Sequence, residues 1–147
     1  MIDNSQPQNS TTASWKVPNF YQQGRVAQQA YDVVVVDDEA PIAQVIADLL
    51  IEEGYRVGVF HDGASALLAI LEHPPRLVLL DIAMPVLTGD EVLIELRRRG
   101  YDHLPIILMS AGSRLRDFLP LGATAVIPKP FDLDQILSCV SRYAGDS

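Results

Sequence analysis

Apolar residues recur along this chain in two alternating rhythms: short unbroken runs, and longer stretches where they return every three or four positions. A short run bounded by turn formers suits a strand buried on both faces, whereas recurrence at i, i+3, i+4 and i+7 marks a helix with one buried stripe. Val33 to Val36, Tyr55 to Phe60, Arg76 to Leu80, Leu104 to Met109 and Ala123 to Ile127 read as strands. The first helix carries Ile42, Val45, Ile46, Leu49 and Leu50, opens at Pro41 and stops at Gly54. The second, opened by Asp62 and Gly63, shows Ala64, Leu67, Leu68 and Leu71 and is closed by Pro74 and Pro75. A third carries Val92, Leu93 and Leu96 and ends before Gly100, and Pro120 and Gly122 confine a fourth to about Ser113 to Leu119. The last shows Leu133, Ile136, Leu137 and Val140.

Strands alternating with helices imply an α/β fold, a five-stranded parallel sheet with helices on both faces, because each crossover is right-handed and lays its helix over the sheet. The doubly wound, flavodoxin-like order 2-1-3-4-5 sets strands one and three side by side at the switch point. Neighbouring strands lie about 4.8 Å apart. Asp37 and Asp38 after strand one and Asp81 after strand three should therefore converge, with Ser110 and Lys129 brought to the same edge by strands four and five.

Residues 1–30, rich in Gln, Asn, Ser and Thr and without either period, are expected to be a disordered polar tail, interrupted by Trp15, Val17, Phe20 and Tyr21. The expected domain covers 31–143, and 144–147 are a short C-terminal tail. Composition narrows the class. The 147 residues suffice for one domain and an appendage, and no run approaches the roughly 18 apolar residues of a membrane span. No secretion signal is visible, so the cytoplasm is the expected compartment. The net charge of -8 argues against general affinity for nucleic acid, whose binders need a basic face. The basic run Arg97, Arg98 and Arg99 reads as a solvated C-terminal turn of a helix. Cys139 reads as a small buried hydrophobe, and His61, His73 and His103 lack the spacing of zinc ligands.

Clustered carboxylates repel unless protons or a cation compensate. Oxygen-only ligands select a hard divalent ion, and Mg²⁺ is normally held by one or two carboxylates together with substrate phosphate. With Lys129 as a second cation and Ser110 as a hydroxyl, the set suits phosphoryl transfer, in which a carboxylate can itself be the nucleophile. Asp81, between metal and lysine, is the candidate, with Asp37 and Asp38 as metal ligands. Plainer roles exist for each: Asp38 as the N-cap of a helix beginning near Ala40, Ser110 as a helix cap, Lys129 as a surface lysine.

The runs VVVVDDE with Asp37 and Asp38, LLDIAMPVLTG with Asp81, LMSAG with Ser110 and GATAVIPKPF with Lys129 together resemble the receiver domain of two-component response regulators, chemotaxis-regulator-like and stand-alone. The likeness runs from Tyr31 to about Tyr143. It implies that Asp81 accepts a phosphoryl group from a phosphohistidine on a histidine kinase or histidine phosphotransfer protein. It also implies Mg²⁺ on Asp37, Asp38, Asp81 and the backbone carbonyl of Ala83, phosphoryl oxygens bound by Ser110 and Lys129, and a cis peptide before Pro130. Two departures stand out. Val126 occupies the strand-five position where the family commonly has Tyr or Phe, and the stretch from Ser110 to Gly122 is about one helical turn short. Both fall on the face by which receivers signal, and they put in doubt the homodimer that receivers often form through their fourth and fifth elements.

The leading expectation is a phosphorylation switch, a phospho-acceptor that assists its own phosphotransfer and dephosphorylation rather than a turnover enzyme. Since no DNA-binding domain follows Tyr143, its output is expected through a protein partner of unknown identity, without direct nucleic-acid contact or membrane insertion. The alternative is a receiver-like docking module indifferent to phosphate. A Mg²⁺-dependent phosphatase with Asp37 as nucleophile is disfavoured because Glu39 would have to serve as its acid, and the absence of GxxxxGK[ST] leaves nucleotide hydrolysis unsupported.

Overall fold

Successive side chains on a strand point to opposite faces, and the first strand, β1 (Val33–Val36), uses that alternation to serve two cores. Val33 and Val35 enter one apolar cluster, Val34 and Val36 the other, and all four are buried. The computed structural model describes residues 30–112 and 115–145. The polar tail before Ala30, with Trp15, Val17, Phe20 and Tyr21, lies outside the described residues, as do Ser113 and Arg114 of the expected fourth helix and the last two residues.

After β1 come α1 (Ala40–Glu52), β2 (Val57–Phe60), α2 (Gly63–Glu72), β3 (Leu77–Asp81), α3 (Gly89–Arg98), β4 (Ile106–Ser110), a 3-10 helix (Leu115–Leu121), β5 (Ala125–Pro128) and α4 (Leu133–Ala144). The strands form one parallel sheet in the order β2-β1-β3-β4-β5, as the alternation of elements predicts. Ala43, Ile46 and Leu50 of α1 and Ile136 and Val140 of α4 cover one face. Ala66 and Ile70 of α2 and Val92, Leu93 and Leu96 of α3 cover the other. β3 is central and buried along its whole length, which is why its sequence is a continuous apolar run rather than an alternation.

Register places the chemistry. Val36 is level with Leu80, Asp81 with Met109, and Ser110 with Pro128, so the residues following β1 and ending β3, β4 and β5 share one edge. α2 and α4 start where side chains replace missing partners for their first N–H groups. Asp62 accepts from the Ser65 N–H at 2.7 Å, and Asp132 and Gln135 cap each other reciprocally.

Several local expectations need correction. Gly63, Ala66 and Ile70 form the deeply buried face of α2; of the expected stripe, Leu67 and Leu71 pack partly buried against the same core, while Ala64 and Leu68 are exposed, Leu68 at 69%. In α1, Val45 is exposed while Ala43 and Ala47 take the buried positions. The expected fourth α-helix is instead the 3-10 helix, with Pro120 inside it, since a proline cannot donate to an α-helical ladder. β4 extends through Ser110, β5 begins two residues later than expected, and α4 runs one residue past the expected boundary at Tyr143. Arg97 is not solvated: it is half-buried, donating to the carbonyls of Gly122 at 2.8 and 2.9 Å, of Leu104 at 2.8 Å and of Tyr101. Only Arg98 and Arg99 behave as expected, pairing with Glu95 at the surface. Cys139 is half-buried against the core, and burial pushes its thiol above the ordinary value.

Candidate functional site

Asp37 follows β1 directly, and its backbone is held level with β2 by its N–H to the Phe60 carbonyl at 3.1 Å. Its side chain is fully buried, and each oxygen has a partner: Oδ1 accepts from the Glu39 N–H at 2.9 Å and Oδ2 from Lys129 Nζ at 2.9 Å. Asp81, the last residue of β3, is 3% exposed and accepts from the same ammonium at 3.1 Å through Oδ1. Asp38 is exposed at the mouth. It does not cap α1, whose N-cap is Glu39 with no side-chain cap bond. Asp37, Asp38 and Asp81 each offer a carboxylate oxygen within 4.8 Å of the others.

Lys129 reaches this cluster because its own N–H donates to the Ser110 carbonyl at 2.8 Å, fixing the end of β5 beside β4. The Lys129–Pro130 peptide is cis. Ser110 is buried, and its Oγ accepts from the Gly112 N–H at 3.0 Å, which binds the loop after β4 to the site. Ala83 stands exposed at the start of the loop after β3. Gly89 is pressed so tightly on that loop's origin that a Cβ there would lie 2.1 Å from the Asp81 carbonyl oxygen. The converging set Asp37, Asp38, Asp81, Ser110 and Lys129 is thus the one that strand ends predicted.

Electrostatics follow from the crowding. Burial, and then the Asp37 carboxylate, push Asp81 above its ordinary value, against the pull of Lys129. Burial works to lower Lys129, but the hydrogen bonds it donates to Asp37 and Asp81 outweigh it and hold the ammonium above its ordinary value. Three carboxylates against one ammonium leave two negative charges, which one divalent cation balances, and every donor is an oxygen. The donor set fits Mg²⁺.

Two features escaped sequence reasoning. His61 Nδ1 lies 3.0 Å from the Asp37 carbonyl oxygen, a contact that needs the β1–β2 register to be known. An apolar groove lined by Pro41, Ile42, Val45, Phe131 and Leu133 opens beside Lys129, because α1 and the start of α4 turn exposed apolar side chains toward each other there.

A model of the response regulator receiver domain matches residues 33–141. The chain belongs to this family. Similar to this receiver is the transcriptional regulatory protein KdpE of Mycobacterium tuberculosis, 38% identical over 109 residues, which cover 72% of the chain and 47% of that protein. The chain thus spans about half the length of that curated relative. The receiver domain of NtrX from Brucella abortus is similar in structure, with a TM-score of 0.72 and 33% identity, over 79% of this receiver and 100% of that chain. So is the structure of a CheX–CheY–BeF3–Mg²⁺ complex from Borrelia burgdorferi, with a TM-score of 0.69 and 28% identity, over 75% of this receiver and 86% of that chain.

Proposed function

We propose that this receiver takes a phosphoryl group onto Asp81 from a phosphohistidine of a histidine kinase or phosphotransfer protein, in the cytoplasm, and signals through a protein partner. The observation that carries the reading is the single ammonium of Lys129 bridging Asp37 and Asp81 in a pocket with a surplus of two negative charges. Asp37, Asp38, Asp81 and the Ala83 carbonyl would hold Mg²⁺, which when bound neutralises charge on the phosphoryl oxygens. The Borrelia complex, with BeF3 and Mg²⁺ together, supports that pairing of ligands.

An Asp81 oxygen forms the new bond to phosphorus as the P–N bond to imidazole breaks. The electron pair of that bond stays on the imidazole nitrogen, which takes a proton as it leaves. Lys129 keeps the Asp81 carboxylate aimed through its bond to Oδ1. Ser110, at the end of the neighbouring strand β4, donates its hydroxyl to a phosphoryl oxygen, and Lys129 exchanges part of its carboxylate contact for the new charge. The group is a stoichiometric acceptor, not a turnover catalyst. KdpE is named a transcriptional regulatory protein and is about twice as long as the matched stretch. The acidic charge therefore speaks against nucleic-acid contact by the receiver body alone.

Incubation with Mg²⁺ and acetyl phosphate tests the reading: the intact mass should rise by one phosphoryl group, and Asp81→Asn should abolish the gain. An unlabelled wild-type chain would favour phosphate-independent docking, which Val126 in β5 and the 3-10 helix in place of an α-helix support as the second reading.

A further inference from the structure

Lys129 holds the carboxylates of Asp37 and Asp81, but among the described residues nothing donates to that of Asp38, which stands exposed at the mouth. Three carboxylates within 4.8 Å of one another repel, and the unheld one is the one that repulsion turns outward. Where Asp38 stands is therefore set by its backbone.

That backbone is fixed at each successive peptide group. The Asp37 N–H donates to the Phe60 carbonyl at 3.1 Å, and the Glu39 N–H donates to Asp37 Oδ1 at 2.9 Å. The peptide between them, joining Asp37 to Asp38, is held from its oxygen by His61, whose Nδ1 lies 3.0 Å from the Asp37 carbonyl. A carbonyl oxygen only accepts, so Nδ1 carries the hydrogen. With Val36 level with Phe60, a parallel ladder continued by one step would bring the Asp62 N–H to that oxygen. Asp62 is instead the N-cap of α2, and the His61 side chain supplies the donor that the ladder loses. His61 is exposed, so its ring fills no core position.

We propose that His61 is a positioning residue for the divalent cation: its bond to the Asp37 carbonyl sets the Asp37–Asp38 peptide so that the Asp38 carboxylate faces the pocket before Mg²⁺ arrives. The inference rests on the reading of Asp37, Asp38 and Asp81 as metal ligands. Groups that orient ligands without touching the metal are worth about 10–100-fold in affinity. One bond from an exposed ring, acting through the backbone, belongs at the low end of that range.

The test titrates Mg²⁺ into the ¹⁵N-labelled full chain without a phosphodonor and reads the amide shifts from Asp37 to Glu39. His61→Leu removes the donor, whereas His61→Asn restores it, because an Asn amide nitrogen and imidazole Nδ1 are equally many bonds from Cα. Neither variant carries a charge at position 61, so a difference between them reports the hydrogen bond. His61→Leu should bind Mg²⁺ about tenfold more weakly than the wild type, and His61→Asn within about threefold of it. Acetyl phosphate labelling should follow the same split: slow for His61→Leu when Mg²⁺ is limiting, and within about twofold of wild type when Mg²⁺ saturates. Equal affinity in wild type and His61→Leu overturns the proposal while leaving the metal site standing. So does His61→Asn binding as weakly as His61→Leu, or a labelling deficit that saturating Mg²⁺ does not remove. A wild type whose amides do not shift with Mg²⁺ overturns the metal reading of the pocket and the role of His61 with it.

Discussion

The two ends of the sheet treat a buried aspartate in opposite ways. At the amino end, Asp32 is 6% exposed and receives the Arg56 N–H at 2.8 Å, the Arg56 guanidinium at 3.1 Å and Arg76 at 3.3 Å. Burial pulls its carboxyl upward, but the Arg56 bonds and then Arg76 overcome that and leave it below its ordinary value. At the carboxyl end, Asp81 is as deeply buried but shares one ammonium with Asp37, and it is held above its ordinary value. A buried carboxylate thus ends below its ordinary value where two guanidiniums bond to it, and above it where burial and a second carboxylate outweigh one ammonium.

The largest expected effect breaks the comparison outright: Asp81→Asn should lose all acetyl phosphate labelling while remaining folded, and Asp32→Asn should keep labelling at the wild-type rate. Intact mass measured over a time course checks both. Next in size, Lys129→Met leaves Asp37 and Asp81 buried without their ammonium and should cost about 2–4 kcal/mol in urea unfolding without Mg²⁺. Added Mg²⁺ should restore part of that loss, more than it adds to the wild type.

Stability against pH sharpens the contrast, because the two shifts have opposite signs. A carboxyl held low by folding stabilises above its unfolded value near 3.8 and loses that contribution as pH falls through its lower folded value. Asp32→Asn should therefore cost about 1–2 kcal/mol at neutral pH, and the cost should shrink as acid is added. A carboxyl held high favours its protonated form, so its contribution is present below about 3.8 and is lost as pH rises through its folded value. Asp81→Asn should raise the neutral-pH thermal midpoint without Mg²⁺, with the gain vanishing in acid. Thermal scans at several pH values check the crossing. The smallest effect belongs to the exposed pairs of Glu95 with Arg98 and Arg99, 2.8 and 2.6 Å long. Glu95→Gln should shift the urea midpoint least of these variants, and less still in high salt.

The carboxyl-end cluster was legible in the sequence because strand ends are marked by abrupt changes from apolar runs to Asp37, Asp81, Ser110 and Lys129, and parallel topology brings such ends together. The amino-end network was not, since Asp32, Arg56 and Arg76 lie at strand starts where nothing distinguishes a buried ion pair from solvated charges. Helix faces failed where apolar residues occur all round: in α2 the stretch Ala64 to Leu71 offers two plausible stripes, and packing chose the one with Ala66 and Ile70. Arg97 looked like its neighbours because only three-dimensional proximity supplies the carbonyls of Tyr101, Leu104 and Gly122.

Gly89 carries a last consequence. With the Asp81 carbonyl 2.1 Å from where a Cβ would be, the first residue of α3 and the Asp81 peptide group cannot move independently toward one another. In a saturation library position 89 is accordingly a bottleneck at which any side chain displaces the Asp81 backbone, so clones there that fail to take label report lost alignment of Asp81 rather than a missing functional group.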